Sequence, residues 1–319
     1  MTDAPISTPS FLAPPGEVAD WRLVLLYDAA WATGLADALP ATVADATDRA
    51  GLEPKAVRAV LDALVAGGLA TADADGTVTL VPAATDPATR SQLRQHASTI
   101  RRWSTSIEPR LRGEDAPLRS PFDLKGWLQS MAAGAAQQAD AVADTVLAAV
   151  RTAPVEGRPR RALDIGGGHG RYAAALAARG LEVTMQDRPD VIATVEREGW
   201  LDGTGVHLVV GDVHDHLPDG PFDVVLAVGV LHTMPPERVA SLLRRVGAIM
   251  APGGALLIRT QLRGEGAAAA LFAVQMLVAG QGGDAHRLVD YQVWLADAGL
   301  TQPEVSTVGN GALLVSIKR

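Results

Sequence analysis

The stretch LDIGGGHGRYAAALAARG, residues 163–180, places four glycines within five residues, between an apolar run and an alanine-rich helical pattern. Gly166, Gly168 and Gly170 form a G-x-G-x-G turn, one residue shorter than the spacing typical of dinucleotide-binding turns. Main chain without side chains lets a ligand lie directly against such a strand-to-helix turn. A tight turn without a ligand has the same pattern. The glycines alone therefore do not identify a binding site, and other features of the chain are needed.

Strand-like and helical segments alternate around this turn. The strand-like segments are 161–166, 181–187, 206–212, 222–230 and 254–261, and the helical segments are 170–179, 190–199 and 236–250. This alternation predicts a parallel sheet with crossover helices. The dipeptide Asn310-Gly311 then predicts a hairpin between 303–309 and 311–319. The expected fold class is therefore α/β, with a doubly wound, mostly parallel sheet that an antiparallel pair closes.

Two aspartates follow neighbouring strands at one edge of the predicted sheet. Asp187 ends the second strand, 21 residues after Gly166, where a carboxylate can accept hydrogen bonds from ribose hydroxyls. Asp212 ends the third strand, where it can accept a hydrogen bond from the exocyclic amine of an adenine. The glycine turn has no lysine to hold phosphates, unlike a P-loop. A nucleoside without phosphates fits this pattern, and S-adenosylmethionine is such a ligand.

The order and spacing of six segments resemble those of a known family. The segments are LDIGGGHGRYAAALA, QDRPDVI, VVGDVHDHLP, AVGVLHTMPPERVASLLRRV, APGGALLI and LADAGL. They are similar to the class I S-adenosylmethionine-dependent O-methyltransferases of the plant phenolic and bacterial polyketide-tailoring type. The resemblance covers nearly the whole chain, including the region before the glycine turn.

The resemblance implies a binding site for S-adenosylmethionine. Gly166 and Gly168 are expected to approach the cofactor, and Asp187 to bind its ribose. Asp212 and Val213 are expected to flank its adenine. The complete set of expected cofactor-binding residues is Asp164, Gly166, Gly168, Asp187, Arg188, Asp212, Val213 and Val228.

His232, in the segment LHTM, holds the position of a histidine that acts as general base in relatives. An imidazole titrates near neutral pH and suits the removal of a phenol's proton; the alternative is a ring that merely packs at a strand end. The carboxylates that orient this histidine in relatives correspond here to Thr260 and Ala285. The base therefore acts unassisted, or His286 helps it, or an amine or carbon acceptor needs no base.

Four apolar residues are the candidates for the substrate pocket. They are Trp127, Met131, Phe272 and Met276, and several of them are equally compatible with a core position. Met131 matches a methionine that lies near cofactor and substrate in relatives. The expected function is O-methylation of a phenolic or similar hydroxyl on a small natural product. The alternatives are C- or N-methylation, or pericyclase-, hydroxylase- or decarboxylase-like chemistry that retains the cofactor.

Three segments are expected along the chain. Residues 1–95 are predicted to form a smaller helical winged-helix domain, since helical patterns precede a hairpin that turns at Asp75-Gly76. Residues 96–152 are a helical connector that contributes to the substrate pocket, and 153–319 bind the cofactor. The resemblance implies that the first segment mediates a homodimer.

Nucleic acid is not an expected partner, although winged-helix domains often bind DNA. The predicted recognition helix, residues 54–66, has only Lys55 and Arg58 as cations, whereas DNA binding needs several phosphate contacts. The net charge of -8 argues in the same direction. The first segment is therefore interpreted as a packing and dimerisation module.

Several other classes of site are disfavoured by composition. The chain has no cysteine, which excludes disulfides, thiolate metal sites and a cysteine nucleophile. His214 and His216 form an H-x-H pattern without a third ligand nearby in sequence, so no metal is expected. No apolar run reaches the length of a membrane span, and the first twenty residues lack a signal-peptide pattern. We expect a cytoplasmic enzyme with a small-molecule substrate and no membrane partner.

Overall fold

The structure, a computed structural model, describes residues 20–115, 123–136, 138–151, 159–279, 282–309 and 311–319. The chain divides into two compact units, Met1–Thr105 and Ser106–Arg319. The division falls inside one long helix, Pro87–Leu111. The boundaries after residues 95 and 152 stay predictions.

The described part of the first unit contains short helices and one hairpin. Its elements are α1 (Trp21–Ala32), α2 (Val43–Ala50), α3 (Pro54–Ala66), β1 (Ala70–Ala72), β2 (Val78–Leu80), α4 (Pro82–Thr85) and the larger part of α5 (Pro87–Leu111). Strands β1 and β2 pair antiparallel, and Gly76 in the turn between them has a φ of +82°. The predicted hairpin is therefore confirmed, whereas the winged-helix and dimer roles of this unit stay predictions.

Local polar contacts define the ends and the core of these helices. The Thr42 hydroxyl oxygen accepts a hydrogen bond from the Asp45 amide at 3.2 Å, which caps the start of α2. Gly51 ends that helix in the left-handed conformation with a φ of +64°. The buried Tyr27 donates its hydroxyl hydrogen to the carbonyl oxygen of Ala84 at 2.5 Å. Buried apolar side chains of α1, α2, α3 and the hairpin pack together, so the first unit has a core of its own, as an independent domain requires.

The second unit contains the alternating strands and helices that the sequence predicts. After α6 (Leu124–Ala135) and α7 (Ala139–Ala149) follow β3 (Arg161–Ile165), α8 (Arg171–Ala177), β4 (Glu182–Asp187), α9 (Pro189–Arg197), β5 (His207–Val210), β6 (Phe222–Val228), α10 (Pro236–Ile249), β7 (Met250–Thr260), α11 (Gly266–Ala279), α12 (Leu288–Asp297), β8 (Glu304–Val308) and β9 (Gly311–Ile317). The third strand of the parallel run ends at Val210 and not, as predicted, at Asp212. Asp212 lies in a turn instead, where its carboxylate accepts the His214 amide hydrogen at 2.8 Å.

A seven-stranded sheet organises this unit, in the order β5-β4-β3-β6-β7-β9-β8. The first five strands of that order are parallel, and β9 runs antiparallel to both β7 and β8. The predicted parallel sheet with a closing antiparallel pair is confirmed. The chain order reverses between β3 and β6, and ligands of such sheets bind in the crevice at this reversal, beyond the carboxyl ends of the strands.

Alternating side chains of the strands build a core on each face of the sheet. On β7, Ala255 and Leu257 belong to the cluster that packs against α7 and α8. Leu256 and Ile258 belong to the cluster that packs against α10 and α12. Side chains of a strand alternate between faces, so an apolar run such as β7 is buried on both sides. The sheet therefore provides a rigid, apolar base for the carboxyl ends of its strands.

The sequence pattern does not predict α11. Its residues are apolar on every side except Gln275, so the segment shows no 3.6-residue period. The structure buries Ala269, Phe272 and Val278 of this helix. Within the residues that the structure describes, no helix combines the length and the hydrophobicity needed to cross a bilayer.

We expect Gly247→Ala to destabilise the protein by about 1–3 kcal/mol, because the new Cβ atom overpacks the contact between α10 and the end of α12. That atom would lie 2.2 Å from the carbonyl oxygen of Ala298. Urea unfolding followed by circular dichroism measures the change.

The matched control is Gly134→Ala in α6, where nothing lies within 4 Å of the Cβ position. There the higher helix propensity of alanine should stabilise the fold by about 0.5–1 kcal/mol. Equal effects of the two substitutions would contradict the close approach of α10 to Ala298.

Candidate functional site

The glycine turn between β3 and α8 has the conformation that only glycine adopts readily. Gly166, Gly168 and Gly170 have φ values of +63°, +56° and +74°. A Cβ atom at Gly166 would lie 2.7 Å from Cγ2 of Val230, so a side chain has no room there. A turn of glycines in the left-handed conformation thus follows β3, as the sequence pattern indicates, and its approach to a cofactor stays a prediction.

Asp187 connects the glycine turn to the neighbouring strand. Its Oδ2 atom accepts the Gly168 amide hydrogen at 2.8 Å, and its Oδ1 atom accepts the Arg188 amide hydrogen at 2.7 Å. Burial raises the pKa of this carboxyl. Each carboxylate oxygen can still accept a second hydrogen bond, so the side chain fits the predicted contact with ribose hydroxyls.

Asp164 lies below the turn, on β3, and is only 1% exposed. Its Oδ2 atom is buried and has no hydrogen-bond partner among the described residues. Burial, and then the nearby charge of Asp187, raise the pKa of this carboxyl to about 8. A buried carboxyl oxygen without a partner is costly, and a bound cation or hydrogen-bond donor would satisfy it.

The predicted adenine-flanking residues lie in the loop after β5. Asp212 is exposed, whereas Val213 is buried. Arg245 on α10 donates hydrogen bonds from Nη1 to the carbonyl oxygens of Val213 and His214, at 2.9 and 2.6 Å. This side chain therefore holds the main chain of the loop in place.

The other predicted cofactor residues also lie at the carboxyl edge of the sheet. Arg188 is exposed and forms an ion pair with Asp190 at 3.2 Å. Val228 is partly buried at the last position of β6. The described residues contain no cluster of three histidine, aspartate or glutamate side chains that could hold a metal ion, the H-x-H segment included.

His232 lies in a 3₁₀ turn, Leu231–Thr233, just after β6. The edge of its ring packs against Phe272, with ring centroids 4.5 Å apart. Its Nδ1 atom is buried and has no hydrogen-bond partner within the described ranges. Burial, with smaller contributions from His286 and Arg259, lowers the pKa of His232 to about 3. The imidazole is therefore neutral at physiological pH.

The positions expected to orient His232 supply no carboxylate to it. Thr260 accepts a hydrogen bond from the hydroxyl of Tyr291 at 3.4 Å, and Ala285 is fully buried. His286, the other candidate helper, is buried, and its Nε2 atom lies 3.1 Å from the carbonyl oxygen of Met234. Main-chain contacts hold the turn instead, since the Asp284 amide donates to the His232 carbonyl oxygen at 2.9 Å.

The four candidate pocket residues fall into two groups. Phe272 contacts His232, and Met276 lines a surface depression of about 500 Å³ on the same helix, α11. Trp127 packs against the core on α6, and Met131 on that helix is 46% exposed. Phe272 thus contacts the histidine and Met276 lies at the depression, and the pocket role of all four residues stays a prediction.

Sequence reasoning missed two arginines near these features. Arg110 lines the depression beside Met276. Arg259 lies on β7, where its charge contributes to the lowered pKa of His232. A charged residue within the apolar run ALLIRT is a signal that could have identified Arg259.

The chain is similar in sequence and in fold to known methyltransferases. A family described as "Methyltransferase domain" matches residues 135–304. Ubiquinone biosynthesis O-methyltransferase of Xylella fastidiosa is 30% identical over 156 residues, which are 46% of this chain, and the chain spans 63% of that relative's length. Tetracenomycin polyketide synthesis 8-O-methyl transferase TcmO of Streptomyces glaucescens is 27% identical over 288 residues, 84% of each chain. The solved structure of human N-acetylserotonin methyltransferase in complex with SAM has a TM-score of 0.76 at 19% identity, covering 93% of this chain and 94% of that chain.

We expect the free energy of unfolding of the ligand-free protein to fall by about 1 kcal/mol as the pH rises from about 7 to about 8. Folded Asp164, whose pKa is raised to about 8, keeps its proton in this range, whereas the unfolded carboxyl has lost it. The folded state then binds more protons, so stability falls with rising pH. His169 and His232, with pKa values lowered to about 4 and about 3, are neutral when folded and mostly neutral when unfolded at this pH.

Urea unfolding at several pH values measures this slope. Asp164→Asn should remove it, and Asp297→Asn, at an exposed position, should leave it unchanged. A slope that persists in Asp164→Asn would show that another group carries the proton.

Proposed function

The chain belongs to the methyltransferase-domain family, and from this premise we propose that it transfers a methyl group from S-adenosylmethionine to a hydroxyl of a small natural product. The observation that carries the proposal is the glycine turn hydrogen-bonded to the carboxylate of Asp187. The relatives in Xylella fastidiosa and Streptomyces glaucescens are both named as O-methyltransferases. A phenolic or similar hydroxyl on an apolar scaffold is the proposed acceptor.

The residues at the carboxyl edge of the sheet fit this cofactor. At Gly168 the position of a Cβ atom has only Leu128 nearby, at 3.6 Å, so a ligand can lie against the main chain of the turn at this residue. Asp187 has free acceptor capacity for the ribose, and Asp212 and Val213 follow the adjacent strand, where the adenine would lie. Asp164 has a buried carboxylate oxygen in need of a partner. Arg188 and Val228 complete the proposed set.

S-adenosylmethionine, when bound, supplies a methyl group on a positively charged sulfur. The chain's own residues must hold the acceptor in line with that methyl group and exclude water. Phe272, which packs against His232, and Met276, one turn further along α11, are the proposed apolar wall. Trp127 and Met131 on α6 are the proposed opposite wall.

His232 is the proposed general base. Its ring is neutral at physiological pH, since burial lowers its pKa to about 3, so it can accept a proton from a hydroxyl. A base with so low a pKa is weak, because general bases work best when their pKa lies near the operating pH. A weak base suffices for an acceptor that already carries negative charge. It also suffices for an amine or carbon acceptor, which depends less on proton removal by His232.

The surroundings of His232 also favour a second candidate function. Because none of the described residues orients a carboxylate toward Nδ1 of His232, the site also suits a catalyst that binds the cofactor without consuming it, in pericyclase-, hydroxylase- or decarboxylase-like chemistry. Incubation with labelled S-adenosylmethionine and candidate phenols distinguishes the two functions by mass spectrometry. Products heavier by one methyl group support methyl transfer, and turnover without S-adenosylhomocysteine formation supports the second function.

A homodimer, a cytoplasmic location and the absence of a nucleic-acid partner remain parts of the proposal. The relatives are named for biosynthetic roles in ubiquinone and polyketide synthesis, which supports a small-molecule partner and a cytoplasmic enzyme. The first unit exposes Trp21 on α1, with 59% of its surface accessible. An exposed aromatic side chain of this kind is suited to an interface with a second copy.

We expect Asp187→Ala to weaken the binding of S-adenosylhomocysteine by about 10- to 100-fold, because charged hydrogen bonds to the ribose are lost. Isothermal titration calorimetry measures the affinity. Glu196→Ala, an exposed acid on the following helix α9, is the control and should bind like the unaltered protein. Failure of the unaltered protein to bind S-adenosylhomocysteine would refute the proposed function.

We expect His232→Gln to lower kcat by about 10²- to 10⁴-fold with little change in S-adenosylhomocysteine affinity, since a general base contributes this much. The exposed His207→Gln is the control. Because the pKa of His232 is about 3, kcat/KM should show no inflection from this group between about pH 5 and about pH 8. An unchanged kcat in His232→Gln would exclude it as the base and favour an acceptor that needs none.

A further inference from the structure

Two arginines line the surface depression beside α11. The depression has a volume of about 500 Å³, which lies in the range of small-molecule pockets. Arg110, near the end of α5, and Arg263, in the loop after β7, line it together with Asp284. Among the described lining residues, two positive charges thus stand against one negative charge. The depression therefore favours a ligand with a single negative charge.

Arg110 has hydrogen-bond donors left for such a ligand. Both hydrogen bonds that its side chain makes with described residues come from Nη1, which donates to the carbonyl oxygen of Glu114 at 3.2 Å and to Oδ1 of Asp115 at 2.8 Å. The Asp115 side chain is fully exposed, so this ion pair contributes little. Nε of Arg110 is buried without a hydrogen-bond partner among the described residues. A guanidinium has five N–H donors, so this cation can bind a further acceptor.

Arg263 is held beside the depression by an acid. Its Nη2 atom forms an ion pair with Oδ1 of Asp284, and 52% of the Arg263 side chain is exposed. The remaining donors of this planar guanidinium can bind a second carboxylate. Asp284 competes with a ligand for the same cation, so the loss of its charge should strengthen the binding of an anionic ligand.

The helix α11 provides an apolar wall of the depression. Its lining residues are Ala273, Val274, Met276 and Leu277. Leu277 is 42% exposed, although leucine side chains are usually buried. An apolar wall with two cations beside it suits a ligand that has an apolar body and an acidic end.

The depression adjoins the histidine turn. Phe272 packs against His232, and Met276 lies one helical turn further along α11, a rise of about 5.4 Å. In the loop that also lines the depression, a Cβ atom at Gly283 would lie 2.2 Å from the carbonyl oxygen of His232. A ligand bound by the arginines can therefore extend along α11 toward the candidate base.

We propose, resting on the proposed function, that the depression binds a carboxylate of the methyl acceptor, so that the acceptor is an aromatic hydroxy acid. Arg110 and Arg263 donate hydrogen bonds to this carboxylate, and the apolar residues of α11 pack against the rings. A carboxylate fits because it has one negative charge and two oxygens, which can accept from both guanidinium groups. This contact orients the acceptor along α11 with its hydroxyl toward His232.

A matched pair of probes tests the charge of the ligand. The probes are 6-hydroxy-2-naphthoic acid and its neutral carboxamide, which differ only in the group expected at the arginines. Isothermal titration calorimetry measures their binding to the protein saturated with S-adenosylhomocysteine. We expect the acid to bind about 10- to 100-fold more tightly at neutral pH, since the carboxamide lacks the charge-assisted hydrogen bonds. Equal affinities, or no binding of either probe, would overturn the inference.

Variants locate the contact. Arg110→Met and Arg263→Met should each weaken binding of the acid by about 10-fold and leave that of the carboxamide within about twofold. Asp284→Asn should have the opposite effect and tighten binding of the acid, a result that a merely structural role would not give. Arg112→Met, which changes an exposed arginine just after α5, is the matched control and should bind both probes normally. Unchanged binding of the acid in both arginine variants of the depression would refute the inference.

S-adenosylhomocysteine affinity separates this inference from the proposed function. All four variants should bind S-adenosylhomocysteine like the unaltered protein, because none of the changed residues belongs to the proposed cofactor set. If the unaltered protein binds S-adenosylhomocysteine but does not prefer the acid, the inference is wrong and the proposed function stands. If it does not bind S-adenosylhomocysteine, the proposed function fails. Should an arginine variant not fold, the probe pair on the unaltered protein and on Asp284→Asn still decides.

Discussion

The hydrogen bond between the Gly168 amide and the carboxylate of Asp187, 2.8 Å long, is the contact on which the candidate site depends. It connects the turn after β3 to the last residue of β4, two strands that pair directly. The position of the acid and the conformation of the turn are therefore set together. A positive φ at Gly168 points this amide toward the carboxylate, and a residue with a side chain would adopt that conformation only with strain.

The apolar sheet below this contact determines how strongly the charged groups at its carboxyl edge interact with each other and with a ligand. Both faces of β3, β6 and β7 are packed, so the groups at the carboxyl edge lie in a medium where electrostatic interactions are stronger than in water. The same burial raises the pKa of Asp164 and lowers that of His232. The fold thus holds an acid and an imidazole in their neutral forms, and ligands of suitable charge can change those states.

Much of this architecture was predictable because it follows from local patterns. The alternation of short apolar runs with helical segments predicted the sheet, and the glycines with Asp187 predicted the turn and its acid. The helix α11 was not predictable from periodicity, since it has apolar residues on all sides. The face of the sheet on which Arg259 lies follows only from the pairing of β7 with β6. Register of this kind depends on tertiary contacts that a single sequence does not contain.

The loop beside the depression and the histidine turn share main-chain atoms. Gly283 lies so close to the His232 carbonyl oxygen that a Cβ atom there would be 2.2 Å from it, and the next amide donates to the same oxygen. Remodelling this loop to accept a bulkier molecule would therefore displace the imidazole as well. Engineering of acceptor selectivity is better directed at α11, whose Met276 reaches the depression from a separate element. Met276 can therefore be changed without altering the main chain that holds His232, whereas a change in the loop alters the depression and the histidine turn together.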